Sequence, residues 1–259
     1  MAVRPAIMGE PRAKDFSIVI PAFNEGERLP GFLKALAQAL PGLPVSGEVI
    51  VVDDGSLPEH RAQYQRAIDE LHTPQIRLIT LAQNQGKGAA IRTGFSDAGG
   101  AWIGFADADG ATPASEVARL LGIAHSSPGL SGVFGSRVYM LGYRIDRQVS
   151  RHLVGRVFVT LTHSLLGHVG YDSQCGCKFF RKSDLAALLP LCAENGYLLD
   201  IELIVLGLRK GMRFLEVPIH WTDVPGSKVS VIKDGLRMFL GLWRIRRRLS
   251  AVMPAKGQA

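Results

Sequence analysis

Two carboxylates, Asp107 and Asp109, stand on either side of Ala108 at the end of an apolar run. Carboxylate oxygens are the hard ligands that Mg²⁺ and Mn²⁺ bind, and a diphosphate would supply the remaining oxygens of such a site. A metal there would neutralise charge on a departing nucleotide. Asp-x-Asp also occurs in capped turns, but the apolar run and a second acidic pair favour a metal site.

The second acidic pair is Asp53-Asp54, which follows the apolar run 49–52. An acidic residue after a strand can accept hydrogen bonds from a ribose or a base, as it does in dinucleotide-binding folds. The alternative is a plain turn, because Asp-Gly-Ser is favourable turn chemistry. We interpret the pair as part of a nucleotide pocket, to which Asn24 and Glu25 would contribute from the end of an earlier apolar run.

The segment from Asn84 to Gly88 is rich in glycine and carries Lys87. It does not match the P-loop, because the earlier glycine of that motif is missing and Gly88 replaces the Ser or Thr. It does not match the dinucleotide motif either, since Ile91 stands where the third glycine belongs. Two alternatives stay open: Lys87 contacts a donor phosphate, or it is a solvated lysine at the start of a helix.

Apolar periodicity divides the chain into alternating strands and helices. Strands are predicted at 16–20, 48–52, 76–81, 101–106, 132–136 and 213–217, and helices at 29–40, 58–71, 87–98, 150–166, 198–209 and 234–249. Pro21 is expected to end the first strand, and Thr112 to cap a helix that has Pro113 in its first turn. The alternation predicts an α/β fold with a mainly parallel sheet covered by helices on both faces. Ligands bind beyond the carboxyl ends of such strands, so the three polar clusters should meet at one edge.

The chain of 259 residues is long enough for one large α/β domain, and its formal net charge is +7. Two arginine clusters stand out, Arg137, Arg144, Arg147, Arg151 and Arg156 in one and Arg237, Arg244, Arg246, Arg247 and Arg248 in the other. These clusters would either solubilise the surface or bind an anion. No aromatic residues interleave them in a stacking pattern, so we expect no nucleic acid partner.

The C-terminal part of the chain predicts a basic amphipathic helix, with Leu236, Phe239, Leu240 and Trp243 on one side. Such a helix would lie in a membrane interface or pack as an ordinary surface helix. No run reaches the roughly twenty apolar residues needed to cross a bilayer. We divide the chain into a flexible leader (1–14), the α/β domain (15–232), the basic helix (233–250) and a flexible tail (251–259).

The three cysteines, Cys175, Cys177 and Cys192, are an odd number, and no secretory signal is recognisable. Both features argue for a reducing compartment, and we expect a location in the cytoplasm. The Cys-x-Cys pair lacks a second pair and a suitably spaced histidine, so zinc is not expected.

Several motifs occur together along the chain. They are Pro21-Ala22-Phe23-Asn24-Glu25, Asp53-Asp54-Gly55-Ser56, Asn84 with Gly86-Lys87-Gly88, Asp107-Ala108-Asp109-Gly110, Gly135-Ser136-Arg137, the stretch from Asp172 to Phe180 with Gln174-Cys175-Gly176, Asp200-Ile201-Glu202, and Pro225-Gly226-Ser227-Lys228. Their order resembles family-two glycosyltransferases of the GT-A fold, over roughly residues 16 to 248. Within that family the set is most similar to the polyprenol-phosphate hexosyltransferases, and among these to the dolichyl-phosphate β-glucosyltransferases.

The resemblance implies inverting transfer of a hexose from a nucleotide sugar, most of all UDP-glucose, to a polyprenyl phosphate. It implies a nucleotide pocket formed by Pro21, Ala22, Asn24, Glu25, Asp53, Asp54, Lys87, Asp107 and Ala108. It also implies Mg²⁺ or Mn²⁺ on Asp107 and Asp109, and an acceptor phosphate on Arg137, Arg151 and Arg156. Mannosyl relatives often carry a glutamine where this chain has Ala111, which weighs against GDP-mannose. The membrane-spanning helices of many relatives are missing, so we expect peripheral association with the cytoplasmic face of a membrane.

The acceptor decides whether a general base is needed. A phosphate monoester is already an anion at pH 7 and needs cations to orient it, which the first arginine cluster offers. A hydroxyl acceptor would need a base, and Asp200 or Glu202 could serve unless they only cap a helix. We favour the lipid phosphate and name Asp109, Arg137, Arg151 and Asp200 as candidate catalytic residues. Transfer from another nucleotide sugar and a non-catalytic nucleotide-binding protein on a membrane surface remain alternatives.

Overall fold

The computed structural model describes residues 14–73, 75–146, 149–224 and 231–252, with backbone alone for 149–154, 231–234, 236 and 251–252. Seven strands form one sheet in the order β3-β2-β1-β4-β7-β5-β8, and β6 and β9 form a small second sheet. The strands are β1 Phe16–Ala22, β2 Gly47–Asp53, β3 Ile76–Thr80, β4 Trp102–Ala106, β5 Gly132–Ser136, β6 Ile145–Asp146, β7 Cys177–Arg181, β8 Phe214–Pro218 and β9 Trp221–Thr222. The helices are α1 Leu29–Ala39, α2 Pro58–Leu71, α3 Lys87–Asp97, α4 Ala114–His125, α5 Val149–Leu166, α6 Lys182–Leu188, α7 Leu199–Arg209 and α8 Val231–Val252, with short 3₁₀ helices at Leu40–Gly42 and Leu189–Leu191.

The sheet is buried on both faces, as continuous apolar strands require. On β1, Ile18 and Ile20 belong to one apolar core while Val19 belongs to the other, because successive side chains of a strand point to opposite faces. Helices α1, α2 and α4 cover the first face, and α3, α6, α7 and α8 cover the second. This confirms the predicted α/β architecture and holds the ends of the central strands rigidly.

The first strand continues through Pro21, where the sequence predicts that it ends. Strand β1 pairs with β4 only as far as Val19, whereas its pairing with β2 continues to Ala22. Beyond Val19 the strand therefore pairs on one side alone, with β2. Pro21 has no backbone N–H to donate, and at this position its absence removes no hydrogen bond to β4. The extra residues carry the chain out to the carboxyl edge of the sheet.

Strand β7 was not predicted from the sequence. It lies between β4 and β5 and runs antiparallel to both, while the other pairs in this sheet are parallel. Lys178 interrupts its apolar run, yet the lysine side chain is fully buried. A lysine in an otherwise apolar stretch masks a buried strand, because ammonium groups are rarely buried without a partner. The antiparallel strand brings the turn at 172–176 next to the carboxyl end of β4.

Two helix details differ from the sequence prediction. Helix α4 begins at Ala114 with Pro113 as its N-cap residue, so Thr112 does not cap it. Helix α8 buries Leu242, Ile245 and Leu249 in the core and leaves exposed three of the four residues predicted to form its apolar side, Phe239, Leu240 and Trp243. The side chain of the fourth, Leu236, lies outside the described residues. The helix thus has two apolar faces, one packed on the protein and one open. Among the described residues, no helix combines the length and apolarity needed to cross a membrane.

Candidate active site

A cavity of about 970 Å³ opens at the carboxyl ends of β1, β2 and β4. This volume lies at the upper end of the usual range for small-molecule and cofactor sites. It confirms that the three polar clusters meet at one edge of the sheet. The lining comprises Pro21, Ala22, Phe23, Glu25, Arg28, Asp54, Asn84, Gly86, Lys87, Asp107, Ala108, Asp109, the loop 193–198, Arg237, Met238, Arg244 and Arg248.

The two carboxylates at the end of β4 are held differently. The Asp107 carboxylate pairs with Lys87 Nζ at 2.5 Å, and one Asp109 oxygen accepts a hydrogen bond from the Ala111 amide at 3.0 Å. Burial, followed by the nearby charge of Asp107, raises the pKa of Asp109. The rise reflects burial and repulsion between the two carboxylates, and a divalent cation between them would relieve that repulsion.

Gly176 explains why the 172–176 turn matters to the pair. The Asp107 amide donates to the Gly176 carbonyl at 2.9 Å, so the turn is fixed to the end of β4. A Cβ atom at Gly176 would lie 2.0 Å from an Asp107 carboxylate oxygen. The absence of a side chain at this position therefore makes the room in which the Asp107 carboxylate sits.

Asp54 organises the glycine-rich loop. Its carboxylate accepts hydrogen bonds from the Asn84 side chain and from the amides of Gln85 and Gly86, all between 2.8 and 2.9 Å. Gly86 has a φ of 101°, and a Cβ there would lie 2.5 Å from the Asn195 carbonyl. Burial raises the pKa of Asp54. These contacts start α3 in the position that carries Lys87 to Asp107.

Asp53, which precedes Asp54 in the chain, faces away from the cavity. Its side chain is fully buried and accepts hydrogen bonds from the Ser56 amide at 2.9 Å and the Arg61 guanidinium at 3.0 Å. The structure thus sets Asp54, and not Asp53, against the cavity, because the two Asp53 oxygens accept from the Ser56 amide and from Arg61 of α2. A direct contact of Asp53 with uracil or ribose stays a prediction.

The end of β1 is anchored to α2. The Asn24 amide donates to Ser56 Oγ at 2.9 Å, and the Glu25 amide donates to the Tyr64 hydroxyl at 2.6 Å. Glu25 also pairs with Arg28 at 2.6 Å, and both side chains line the cavity. Arg28 was not predicted from the sequence, although its spacing of three residues from Glu25 is a usual distance for an ion pair.

The described residues do not form a complete metal site on their own. No three His, Cys, Asp or Glu side chains among them come together to hold a metal. Asp107 and Asp109 nevertheless fit one, because Mg²⁺ commonly binds one or two carboxylates and takes its other oxygens from phosphates and water. The donor set is oxygen only, which suits Mg²⁺ or Mn²⁺.

Arg137 lies outside the cavity lining but close to it. Its guanidinium holds Asp172 through two hydrogen bonds, at 2.7 and 2.8 Å, and stacks on Trp221. Burial would raise the pKa of Asp172, but the charge of Arg137 and its hydrogen bonds outweigh burial and bring it to about 2. Attraction to Asp172 likewise outweighs burial and raises the pKa of Arg137. Arg156 lies over the ring of Tyr171, and the Arg151 side chain is outside the described residues.

Asp200 belongs to a buried network. Lys178 donates to Asp200 at 3.2 Å and to the Cys175 carbonyl at 2.5 Å, and Gln174 donates to Asp200 at 3.0 Å. Burial raises the pKa of Asp200. The Gln174-Cys175-Gly176 motif therefore connects β7, α7 and the carboxylates at the end of β4. Cys175, Cys177 and Cys192 are free and buried.

Glu202 of α7 holds in place the loop 193–198, which lines one side of the cavity. It is fully buried, accepts hydrogen bonds from the Ala193 and Glu194 amides, and contacts Arg248 of α8. It has no open path to a substrate, which disfavours it as a general base. Ser227 and Lys228 lie outside the described residues.

The cavity lies at the carboxyl ends of parallel strands, where α/β enzymes bind their ligands, and a family model identifies the class of enzyme. The model for glycosyl transferase family 2 matches residues 17–189, so the chain belongs to that family and is a glycosyltransferase. It is 33% identical over 251 residues to the dolichyl-phosphate β-glucosyltransferase of Saccharomyces cerevisiae, an alignment that covers 89% of this chain and 73% of that protein. It is 31% identical over 256 residues to the human dolichyl-phosphate β-glucosyltransferase, covering 94% and 78%.

Solved structures share the fold at lower sequence identity. Glucosyl-3-phosphoglycerate synthase from Mycobacterium tuberculosis in complex with UDP has a TM-score of 0.66 at 20% identity, covering 90% of this chain and 80% of that one. The same enzyme with Mn²⁺, UDP and phosphoglyceric acid has a TM-score of 0.66 at 18% identity, covering 92% and 78%. This similarity identifies the GT-A fold.

Proposed function

We propose that this glycosyltransferase moves glucose from UDP-glucose to a polyprenyl phosphate, with inversion at the anomeric carbon. The observation that carries the proposal is the cavity. It is lined both by Asp107 and Asp109 and by the residues at the ends of β1 and β2 that would bind the nucleotide. It occurs in a chain whose sequence relatives are named dolichyl-phosphate β-glucosyltransferases. The sugar and the acceptor are taken from those relatives, and the binding roles below are argued from this chain.

The donor nucleotide would lie along the ends of β1 and β2. Pro21, Ala22 and Glu25 line this part of the cavity, with Asp54 and Asn84 at its other side. The side chains of Pro21 and Ala22 at the end of β1 would give a base an apolar surface, and the polar groups would fix its orientation. A structural neighbour binds UDP-glucose together with Mn²⁺, which supports a uridine nucleotide as the first donor to test.

Asp107 and Asp109 would hold the metal on the donor diphosphate. When bound, Mg²⁺ or Mn²⁺ supplies positive charge that stabilises the departing nucleoside diphosphate. Lys87 lies 2.5 Å from Asp107, so it stands where it would also meet a phosphate oxygen. Ala108 is buried and keeps the two carboxylates at the end of β4. The residues thus bind the leaving group and orient the sugar towards the acceptor.

The acceptor proposal is supported by the surroundings of Asp200 and Glu202, the two carboxylates considered as general bases. A phosphate monoester attacks as an anion and needs no proton removed. Asp200 is already held by Lys178 and Gln174, and Glu202 is buried among amides and Arg248. Neither carboxylate is open to take a proton from a hydroxyl. The candidate contacts for the acceptor phosphate remain Arg137, Arg151 and Arg156, which the resemblance implies. Asp172 orients Arg137, which lies outside the cavity lining.

The open apolar face of α8 supports association with a membrane surface. Phe239 is 42% exposed, Leu240 is 52% exposed and Trp243 is 49% exposed, although the opposite side of the helix is buried. Aromatic and leucine side chains of this kind insert among lipid headgroups. A polyprenyl phosphate keeps its chain in the bilayer, so an enzyme that uses it must reach the lipid surface.

A donor screen tests the proposal. Purified protein with Mn²⁺ or Mg²⁺ and a short polyprenyl phosphate would be incubated separately with UDP-glucose, UDP-galactose, UDP-GlcNAc and GDP-mannose. We expect glucosyl lipid from UDP-glucose, and EDTA should abolish its formation. Reaction with GDP-mannose alone would contradict the donor assignment. UDP binding without turnover of any donor would instead favour the non-catalytic alternative.

A further inference from the structure

Three arginines of α8 line the cavity that holds the Asp107 and Asp109 carboxylates. Arg237, Arg244 and Arg248 are separated by seven and four residues, a spacing that sets them along one side of an α-helix. The neighbouring Arg246 and Arg247 are not part of the lining. The helix therefore presents a row of cationic groups, which we call the arginine row, to the same space as the carboxylates.

A glycine in the middle of this side lets α8 approach the cavity. Gly241 stands four residues after Arg237, and a Cβ atom there would lie 2.3 Å from Leu198 Cδ1. Leu198 ends the loop 193–198 that lines the cavity. Because position 241 has no side chain, the helix packs against this loop and the arginines on either side of it reach the opening.

Within the arginine row, the ion pair of Arg244 is weak enough for this arginine to bind another anion in place of its carboxylate partner. Arg244 lies 3.7 Å from Glu194 and is 65% exposed, so this ion pair is long and solvated and contributes little. Arg248 contacts the buried Glu202, which also holds the loop amides. The second pair fixes the helix to the loop, while the first can exchange a carboxylate for a better ligand.

The geometry points to a phosphate-binding site on the arginine row, in the cavity that the carboxylate pair also lines. We propose that it takes either the diphosphate of the nucleotide or the phosphate of the acceptor lipid, and only this choice of ligands rests on the proposed function. Guanidinium groups bind phosphate oxygens through paired, charge-assisted hydrogen bonds. Such contacts would neutralise the phosphate oxygens that Asp107 and Asp109 cannot reach through a metal.

The experiment compares Arg244→Gln and Arg237→Gln with wild type and with Arg247→Gln. The control, Arg247, is on the same helix but stacks on Trp243 and does not line the cavity. Calorimetry would measure the dissociation constants of magnesium pyrophosphate, UDP with Mg²⁺, and a short water-soluble polyprenyl phosphate. Loss of a charge-assisted hydrogen bond should weaken binding of at least one probe by about tenfold or more. The Arg247→Gln control should bind all three as wild type does.

Each outcome decides between the possibilities. Weaker binding of pyrophosphate and UDP assigns the site to the donor diphosphate, and weaker binding of the lipid phosphate alone assigns it to the acceptor. Unchanged binding of every probe, or an equal loss in Arg247→Gln, would overturn the arginine row as a specific site. A row that binds pyrophosphate in a protein that fails to transfer glucose would uphold the site and reject the proposed function. Normal transfer with unchanged KM values in Arg244→Gln and Arg237→Gln would uphold the proposed function and reject the phosphate site on the arginine row.

Discussion

At the scale of single residues, Gly176 connects the Gln174-Cys175-Gly176 motif to Asp107, a proposed metal ligand. Replacing it with alanine puts a Cβ atom 2.0 Å from an Asp107 oxygen, so the carboxylate must move. We expect Gly176→Ala to lower kcat/KM for UDP-glucose about tenfold or more and to raise the metal concentration needed for half-maximal activity, because misplacement on the order of 1 Å at a reacting centre is costly.

The matched control for this change is Gly31→Ala on α1. A Cβ atom at Gly31 meets nothing within 4 Å, so the variant adds the same methyl group without a clash. Transfer and metal dependence should stay at the level of wild type. Equal activity of Gly176→Ala and Gly31→Ala would show that Asp107 does not depend on the space that Gly176 leaves.

The buried Lys178 makes a second prediction at this scale. Its ammonium pairs with Asp200 and lies over the rings of Phe105 and Phe134. Removing one partner of a buried pair leaves the other charge uncompensated, so Lys178→Met should lower the free energy of unfolding by about 3 kcal/mol. Urea unfolding at pH 7 would measure the loss.

A double-variant cycle separates this pair from simple loss of packing. Adding Asp200→Asn to Lys178→Met removes the stranded carboxylate, so the double variant should recover part of the lost stability. If the two single changes add without coupling, the ion pair contributes nothing beyond the packing of the lysine side chain.

At the scale of elements, the sequence predicts the first half of the fold closely and the second half less well. Strand β2 and helix α2 follow from an apolar run and from Pro58 in a first turn. Strand β7 could not be predicted, because Lys178 stands inside it and its partners β4 and β5 are distant in sequence. The burial of that lysine depends on Asp200 of α7, a tertiary contact that no local pattern reveals.

Glu48 joins several elements at the opposite end of the sheet from the cavity. It is 3% exposed and accepts hydrogen bonds from Lys14, Ser17, the Gly99 amide and Arg77. Burial alone would raise its pKa, but these hydrogen bonds outweigh burial and bring the pKa from the ordinary 4.5 to about 2. A carboxylate with a lowered pKa stabilises the fold above pH 4.5, and this contribution is lost as pH falls towards 2.

The prediction for Glu48→Gln is a loss of stability that depends on pH. The variant should be less stable than wild type by at most about 3 kcal/mol at pH 7, since Lys14 and Arg77 are partly exposed to solvent. The difference should shrink between pH 4.5 and 2, as urea unfolding at several pH values would show. Glu70→Gln, at an exposed position of α2, is the control, and a difference that stays constant with pH would refute the account.

At the scale of the whole molecule, the sequence predicts where the carboxylates of the candidate site meet but not which distant element completes the lining of the cavity. Strand ends in a parallel sheet share an edge, so the convergence of Asp54, Asp107 and Glu25 follows from the sequence. The arginine row does not, because α8 is far along the chain and only tertiary packing brings Arg244 and Arg248 into the lining of the cavity. For α8, the sequence predicts the apolar face that is exposed and misses the apolar face that is buried in the core.

Membrane association gives a prediction for the whole molecule. If the exposed face of α8 meets lipid, Phe239→Ser with Trp243→Ser should reduce binding to liposomes at least about tenfold, because both aromatic groups lose apolar burial. Co-sedimentation would measure it. Leu57→Ser changes an equally exposed residue at the start of α2 and should bind as wild type does. Equal binding of the aromatic variant and wild type would exclude this face.

The central claim is that the cavity at Asp107 and Asp109 transfers glucose to a phosphate. The most direct measurement compares polyprenyl phosphate with the corresponding polyprenol as acceptors, with UDP-glucose and Mn²⁺ and with Asp109→Asn as the inactive control. We predict a glucosyl phosphate lipid with inverted anomeric configuration from the phosphate, and no product from the alcohol or from the variant. Glucosylation of the alcohol, or equal product from Asp109→Asn, would contradict the account.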